Sequence, residues 1–268
     1  MSILKYSSGI NIYQEDCLPY FKEVGELQSF ILSIVISKIE PGITTLELDK
    51  IAEKLIKKNK AVPLFKGFNN FPNCLCTSVN ETVVHGIPNK TKLKERDVIS
   101  IDLGVKLGRF CADSARTTIV GESVEHKELL EVCKAALFKA IPHAKVGNYT
   151  GDIGHCIHKE IIRLKITKRK PKYSIFDRFE GHGIGLSLHE EPGIPNIGYK
   201  NRGIKLMEGM CICIEPVVLY SSSKIDISIK NPEKVLQFTT NNLKPSAHFE
   251  HQIYISSNGP IILTDKYI

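Results

Sequence analysis

Four acidic residues lie inside apolar segments that have the period of a β-strand, and this restricts the folds open to the chain. In ISIDLGV, residues 99–105, Ile99, Ile101, Leu103 and Val105 share one face and Asp102 points to the other, between Ser100 and Gly104. In HFEHQIYIS, Phe249, Ile253 and Ile255 share a face and Glu250 projects opposite. In MCICIEPVV, Glu215 falls on the side of Cys211, Cys213 and Val217, in a run apolar on both faces. Asp113, in RFCADSART, is flanked by small and apolar residues, with Arg109 and Arg116 near enough in sequence to neutralise it. A carboxylate taken out of water is costly unless it is paired or bound to a metal. Asp102 or Glu250 alone fits a solvated sheet face, or an ion pair with one of 36 lysines and arginines. Four such acids beside a glycine-flanked histidine fit a set of hard oxygen donors and an imidazole, suited to Mn, Fe, Co or Zn. Carboxylates shared between two ions would hold a two-metal site able to activate water and polarise a carbonyl.

The pattern around these acids predicts α+β with antiparallel pairing. Apolar residues recur at helical spacing from Leu18 to Ile39, and Glu40-Pro41-Gly42 ends that run. Thr44 with Glu47 forms a capping-box signature for a second helix to about Lys58. The period then changes, and LCTSVNETVVHGIP, DVISIDLGVKLG and RFCADSARTTIVG read as strands. Helical patterns return at about 125–141 and 151–165, a polar basic segment, 166–178, reads as a loop, and strands follow at MCICIEPVVLY and HFEHQIYIS. Strands and helices come in runs rather than in strict alternation, and no low-complexity linker divides them, so residues 1–268 read as one domain.

Several chemistries are excluded. No apolar run approaches the ~18 residues of a membrane span. The N-terminus lacks the apolar core and cleavage site of a signal peptide. Eight cysteines with no CxxC pair point to reduced, buried thiols in a cytoplasmic protein, and the two C-x-C pairs read as packing on strands rather than zinc ligands. The net charge of +7 concentrates at 54–60, 90–94 and 164–172, which read as solvated faces with at most a weak attraction to RNA or a ribosome. No RNP motif or zinc finger marks dedicated nucleic-acid binding. The segment FEGHGIGLSLHEEPG, 179–193, holds His182 and His189 and has three readings: a phosphate loop, half a zinc site, or merely a turn with two solvated imidazoles. GHGIGLSL lacks the third glycine of a dinucleotide fingerprint, and HEEPG is not HExxH. His155 and His158 read as helix-surface residues.

The order VVHGIP, SIDLGV, CADSAR, GHGIG with HEEP, CIEPVV and FEHQI, with the two aspartates eleven positions apart, resembles the type I methionine aminopeptidases. That resemblance runs from about residue 20 to the C-terminus. It implies a pita-bread fold, in which two pseudo-symmetric halves curve an antiparallel sheet around the metals with helices outside. It implies two divalent ions held by Asp102, Asp113, His182, Glu215 and Glu250. Asp113 and Glu250 would bridge the ions, Asp102 would chelate one, and His182 and Glu215 would bind the other. The reaction implied is hydrolysis of the bond after an initiator methionine on nascent polypeptide N-termini, with a small second residue preferred. Glu215 would shuttle a proton, His189 would bond the carbonyl oxygen, and His85 would contact the scissile amide. Phe68, Phe71 and Cys76 match methionine-pocket positions and Phe65 matches less closely; Leu188 replaces a common aromatic. The chain has no tryptophan, and Leu236 or Phe238 lies near the position that an indole occupies in some members. The family likeness further implies a cytoplasmic monomer with at most transient ribosome contact. An Xaa-Pro peptidase and a non-catalytic binding protein of the same fold are the alternatives. FEHQI and the segment NCLCTSVNETVVHGIP favour the methionine enzymes over the first, and the five filled ligand positions disfavour the second.

Overall fold

A computed structural model describes residues 1–6, 9–166, 173–220, 223–230 and 235–266. Two helical hairpins pack against antiparallel sheets. Helices α1 (Leu18–Ser37) and α2 (Thr45–Lys58) cover a sheet whose strands run Val62–Pro63, Val98–Leu107 and Leu75–Val79, with Phe110–Ile119 on the other edge of Val98–Leu107. The capping box forms as expected: Thr44 Oγ1 accepts from the Glu47 N–H, and the Glu47 carboxylate accepts from the Thr44 N–H at 2.9 Å. Ile99, Ile101, Leu103 and Val105 all enter one core with Phe21, Leu32 and Leu48, so the apolar face of the Asp102 strand points at the helices.

Helices α3 (Lys127–Ala140) and α4 (Thr150–Ile166) pack on a second core holding Ile212, Ile214, Ile253 and Ile255. Here five strands run in the order Glu190–Ile194, Gly181–Gly183, Cys211–Ile214, His251–Ser256, Gly259–Ile262. Three more run Ala247–His248, Val217–Tyr220, Tyr173–Ile175. The loop expected over 166–178 is therefore corrected at its end, because Tyr173–Ile175 pairs with Val218–Tyr220. Residues 167–172 of it lie outside the described residues. The hairpin Ile225–Lys230 with Val235–Thr240, and the pair Ile3–Lys5 with Asn11–Tyr13, are strands that the sequence pattern did not indicate.

The two halves are stitched by hydrogen bonds between strands. The Glu250 N–H donates to the Ala115 carbonyl at 2.9 Å, which sets Glu250 beside the strand that carries Asp113. Gln28 of α1 reaches through the first core, donating to Leu103 O at 2.8 Å and accepting from Ser114 Oγ at 2.9 Å. Among the described residues no helix is long and apolar enough to cross a membrane. All eight cysteines are free and seven are buried.

Candidate metal centre

Asp102 and Asp113 face the same cavity because their strands form one hairpin, in which Asp102 pairs with Ala115 and Gly104 with Asp113. Glu215 follows the strand Cys211–Ile214, where Pro216 interrupts the ladder, and Asn196 Nδ2 holds its carbonyl at 3.1 Å. His182 lies on the middle residue of Gly181–Gly183, an interior strand of the five-stranded sheet. A side chain at Gly181 would strike the Cys213 carbonyl, and one at Gly183 the Glu191 carbonyl. These two glycines let both neighbouring strands close on His182. The turn reading is thereby corrected at Gly181–Gly183, while residues 185–189 are bends and His189 is exposed.

Five residues named from the sequence meet in one place. Ligand atoms of Asp102, Asp113 and Glu250 lie within 4.8 Å of one another, as do those of His182, Cys213 and Glu250, and those of Glu215, His248 and Glu250. His182 Nε2 stands 3.6 Å from Glu215 Oε1. The His182 Nδ1 lies 2.9 Å from the Gly183 carbonyl, which only accepts. That bond places the ring proton on Nδ1 and leaves the Nε2 lone pair facing the carboxylates.

The electrostatics are those of a site built for cations. Burial pushes the Asp102 carboxyl up to about 6. Asp113, Glu215 and Glu250 are pushed well above the usual carboxylate range, first by burial and then by other carboxylates. Among the described residues no lysine or arginine is a leading influence on these four. The pairing of Asp113 with Arg109 or Arg116 is a correction: Arg109 is exposed, and Arg116 donates to the Thr264 carbonyl. Burial lowers His182 to about 3, so its imidazole is neutral and free to donate a lone pair. Asp102 Oδ1, Asp113 Oδ1 and Glu250 Oε1 are buried with no hydrogen-bond partner among the described residues. Buried acceptors left unpaired are rare, and three in one cluster fit divalent metal binding.

The centre opens into a cavity of about 710 Å³. Phe65, Phe71, Cys76, Leu188 and Val235 form one apolar cluster on its wall. Phe68, 39% exposed, stands at the mouth with its ring edge-on to His189 at 5.1 Å. His189 in turn packs on His182 at 4.3 Å between ring centres. The His85 Nδ1 faces the Leu236 carbonyl at 3.2 Å, and burial lowers its pKa. His189 is lowered by desolvation and by His85, so both rings are held toward the neutral form. Of the two residues near the missing indole, Leu236 lines the cavity. Phe238 packs away from it on Val84, Phe176 and Val217.

Two residues escaped the sequence reading. Cys213, taken as packing, lies with His182 and Glu250, and its thiol bonds Glu250. His248, 4% exposed, lies against Glu215. The signal was available: Cys213 precedes Glu215, and His248 precedes Glu250, by two positions, the spacing that puts extended residues on one face.

Residues 20–257 match metallopeptidase family M24. The chain is 41% identical over 248 residues to methionine aminopeptidase 1 of Bacillus subtilis, spanning 92% of this chain and 96% of that one. The crystal structure of methionine aminopeptidase from Rickettsia prowazekii superposes with a TM-score of 0.88 at 31% identity, covering 96% of this chain and all of that one. The prolidase from Pyrococcus horikoshii superposes at 0.72 with 23% identity, covering 96% of this chain and 65% of that one, a likeness of fold alone. The chain belongs to metallopeptidase family M24, among its type I methionine aminopeptidases, and its antiparallel sheets and outer helices are the pita-bread fold.

Proposed function

We propose that this chain is a single-domain, two-metal aminopeptidase that removes the initiator methionine from polypeptide N-termini when the second residue is small. One observation carries the reading: Asp102, Asp113, His182, Glu215 and Glu250 converge, with three buried carboxylate oxygens unpaired, in a cavity walled by an apolar cluster. Asp102, Asp113, His182, Glu215 and Glu250 would hold the ions, with Asp113 and Glu250 shared. Divalent metal, when bound, supplies Lewis acidity and water that deprotonates near neutral pH.

The protein's own groups do the rest. The cluster of Phe65, Phe71, Cys76, Leu188 and Val235 takes the thioether side chain out of water, and Phe68 closes the mouth. Glu215, whose carboxyl is pushed upward, accepts a proton from the attacking water and passes it to the leaving amine. His189 donates a hydrogen bond to the oxygen of the scissile carbonyl as negative charge develops there. His85 orients the scissile amide, its ring fixed by the Leu236 carbonyl. The substrates are nascent chains met in the cytoplasm by a monomer, with at most transient contact at the ribosome.

The test starts from chelated protein titrated with Mn, Fe, Co and Zn, and measures methionine release from Met-Ala-Ser and Met-Lys-Ser. The expected result is metal-dependent release, at least about tenfold faster from Met-Ala-Ser. Equal rates on the two peptides would remove the specificity. Cleavage of Xaa-Pro peptides in place of Met-Ala-Ser would replace the activity.

A further inference from the structure

The five-residue metal set leaves two buried side chains at the centre without a role, Cys213 and His248. His248 is fixed by its main chain: the Thr117 hydroxyl donates to the His248 carbonyl at 2.7 Å and accepts from the His248 N–H at 2.8 Å. Ser100 Oγ, 2.8 Å from the same hydroxyl, must be the donor there, because Thr117 has already spent its proton. Two of the three hydrogen bonds of the Thr117 hydroxyl thus anchor the His248 main chain to the strand that carries Asp113. The imidazole is buried, and among the described residues its Nε2 makes no hydrogen bond, although Glu215 Oε2 lies only 3.4 Å away. The other Glu215 oxygen, Oε1, faces His182 Nε2 at 3.6 Å. Glu215 is therefore bracketed by two imidazoles, each against a different oxygen. Only His182 has its Nδ1 committed to a backbone carbonyl in the way that frees Nε2 for a metal.

We propose that His248 is a positioning residue: its Nε2–H donates to Glu215 Oε2 and turns Oε1 toward His182 and the metal centre. A small rotation of the Glu215 carboxylate closes the 3.4 Å gap. Partners that orient a ligating carboxylate typically change metal affinity ~10- to 100-fold when lost. The inference rests on the two-metal reading of the site, but it concerns metal binding and so is testable apart from peptide cleavage.

Glutamine and asparagine separate the possibilities, because a glutamine amide reaches where Nε2 lies and an asparagine amide only where Nδ1 lies. Affinity and stoichiometry for Co(II) and Mn(II) are measured calorimetrically on chelated protein, with the absorption spectrum of the Co(II) form and a thermal melt beside them. His248→Gln is expected within about threefold of the native affinity with an unchanged spectrum. His248→Asn is expected to bind one ion ~10- to 100-fold more weakly, with an altered spectrum and a melt close to that of His248→Gln. Equal affinities in the two variants overturn the proposal. Both weak would make the imidazole itself a ligand, and both native would make His248 filler. If metal binding follows the expected pattern while Met-Ala-Ser is not cleaved, His248 keeps its role and the activity reading fails.

Discussion

At the residue scale, the centre is defined by acids that burial makes reluctant to ionise. Asp113 is 3% exposed, and the groups that act on it are all carboxylates. Removing it deletes a proposed shared donor, so Asp113→Ala is expected to lose metal and activity together, read by metal analysis after dialysis and by release from Met-Ala-Ser. Among the described residues His85 has no carboxylate partner, and its ring is packed on Phe179 at 4.9 Å. His85→Ala is expected to retain metal while kcat falls ~10²- to 10³-fold. Equal metal loss in both variants would break the division between ligands and substrate-orienting histidines. At this scale the sequence was legible for Asp102, Asp113, Glu215 and Glu250, because acids in apolar strands are anomalies of composition, whereas His182 was singled out over His189 by the family resemblance. Cys213 and His248 were legible only through their two-residue spacing from Glu215 and Glu250, because a cysteine or histidine in such a strand by itself breaks no rule.

At the element scale, helices and long strands followed the apolar period, and short strands did not. The Thr44 cap and the hairpin from Val98 to Ile119 form as the pattern indicates. Gly181–Gly183 and Glu190–Ile194 contain glycine and proline that local propensity assigns to turns, and their neighbours in the sheet override it. One element boundary depends on a single acid. Asp49 of α2 accepts from the Cys74 and Leu75 N–H groups at 2.8 and 3.0 Å, and from Asn73 Nδ2 at 2.7 Å. It thus fixes the start of the strand that carries Cys76 into the cavity wall. Asp49→Ala leaves two buried backbone donors unpaired and is expected to cost about 2–4 kcal/mol of stability. Urea unfolding of the metal-loaded protein measures it. A midpoint unchanged from native would mean that the strand end is held some other way.

At the scale of the whole molecule, the centre lies where the two halves meet, and its charge couples metal to stability. The Asp102 carboxyl, at about 6, is raised above its ordinary value near 3.8. The folded chelated chain therefore binds more protons than the unfolded one across that interval. This contribution is fully present below the ordinary value and is lost as pH rises through 6. Asp113, Glu215 and Glu250 shift in the same direction. His182, lowered to about 3, has the opposite sign: its contribution is present above its ordinary value near 6.5 and is lost as pH falls toward 3. With these groups as the proposed ligands, metal would compete with protons for each of them. The difference in Tm between metal-loaded and chelated protein is therefore expected to widen steadily from pH 5 to pH 7.5. A difference independent of pH would exclude these carboxylates as ligands.

The sequence by itself determined the α+β class, the helices and long strands, and which side chains carry charge out of place. Each of these depends on local spacing, on the period of 2 or 3.6 that decides which residues share a face. Only the tertiary structure decided that Asp102 and Asp113 meet His182, Glu215 and Glu250, that Arg116 turns away to Thr264, and that His248 stands against Glu215. Desolvation and repulsion between charges act through space, and their size is set by distances that exist only once the two halves have closed on one another.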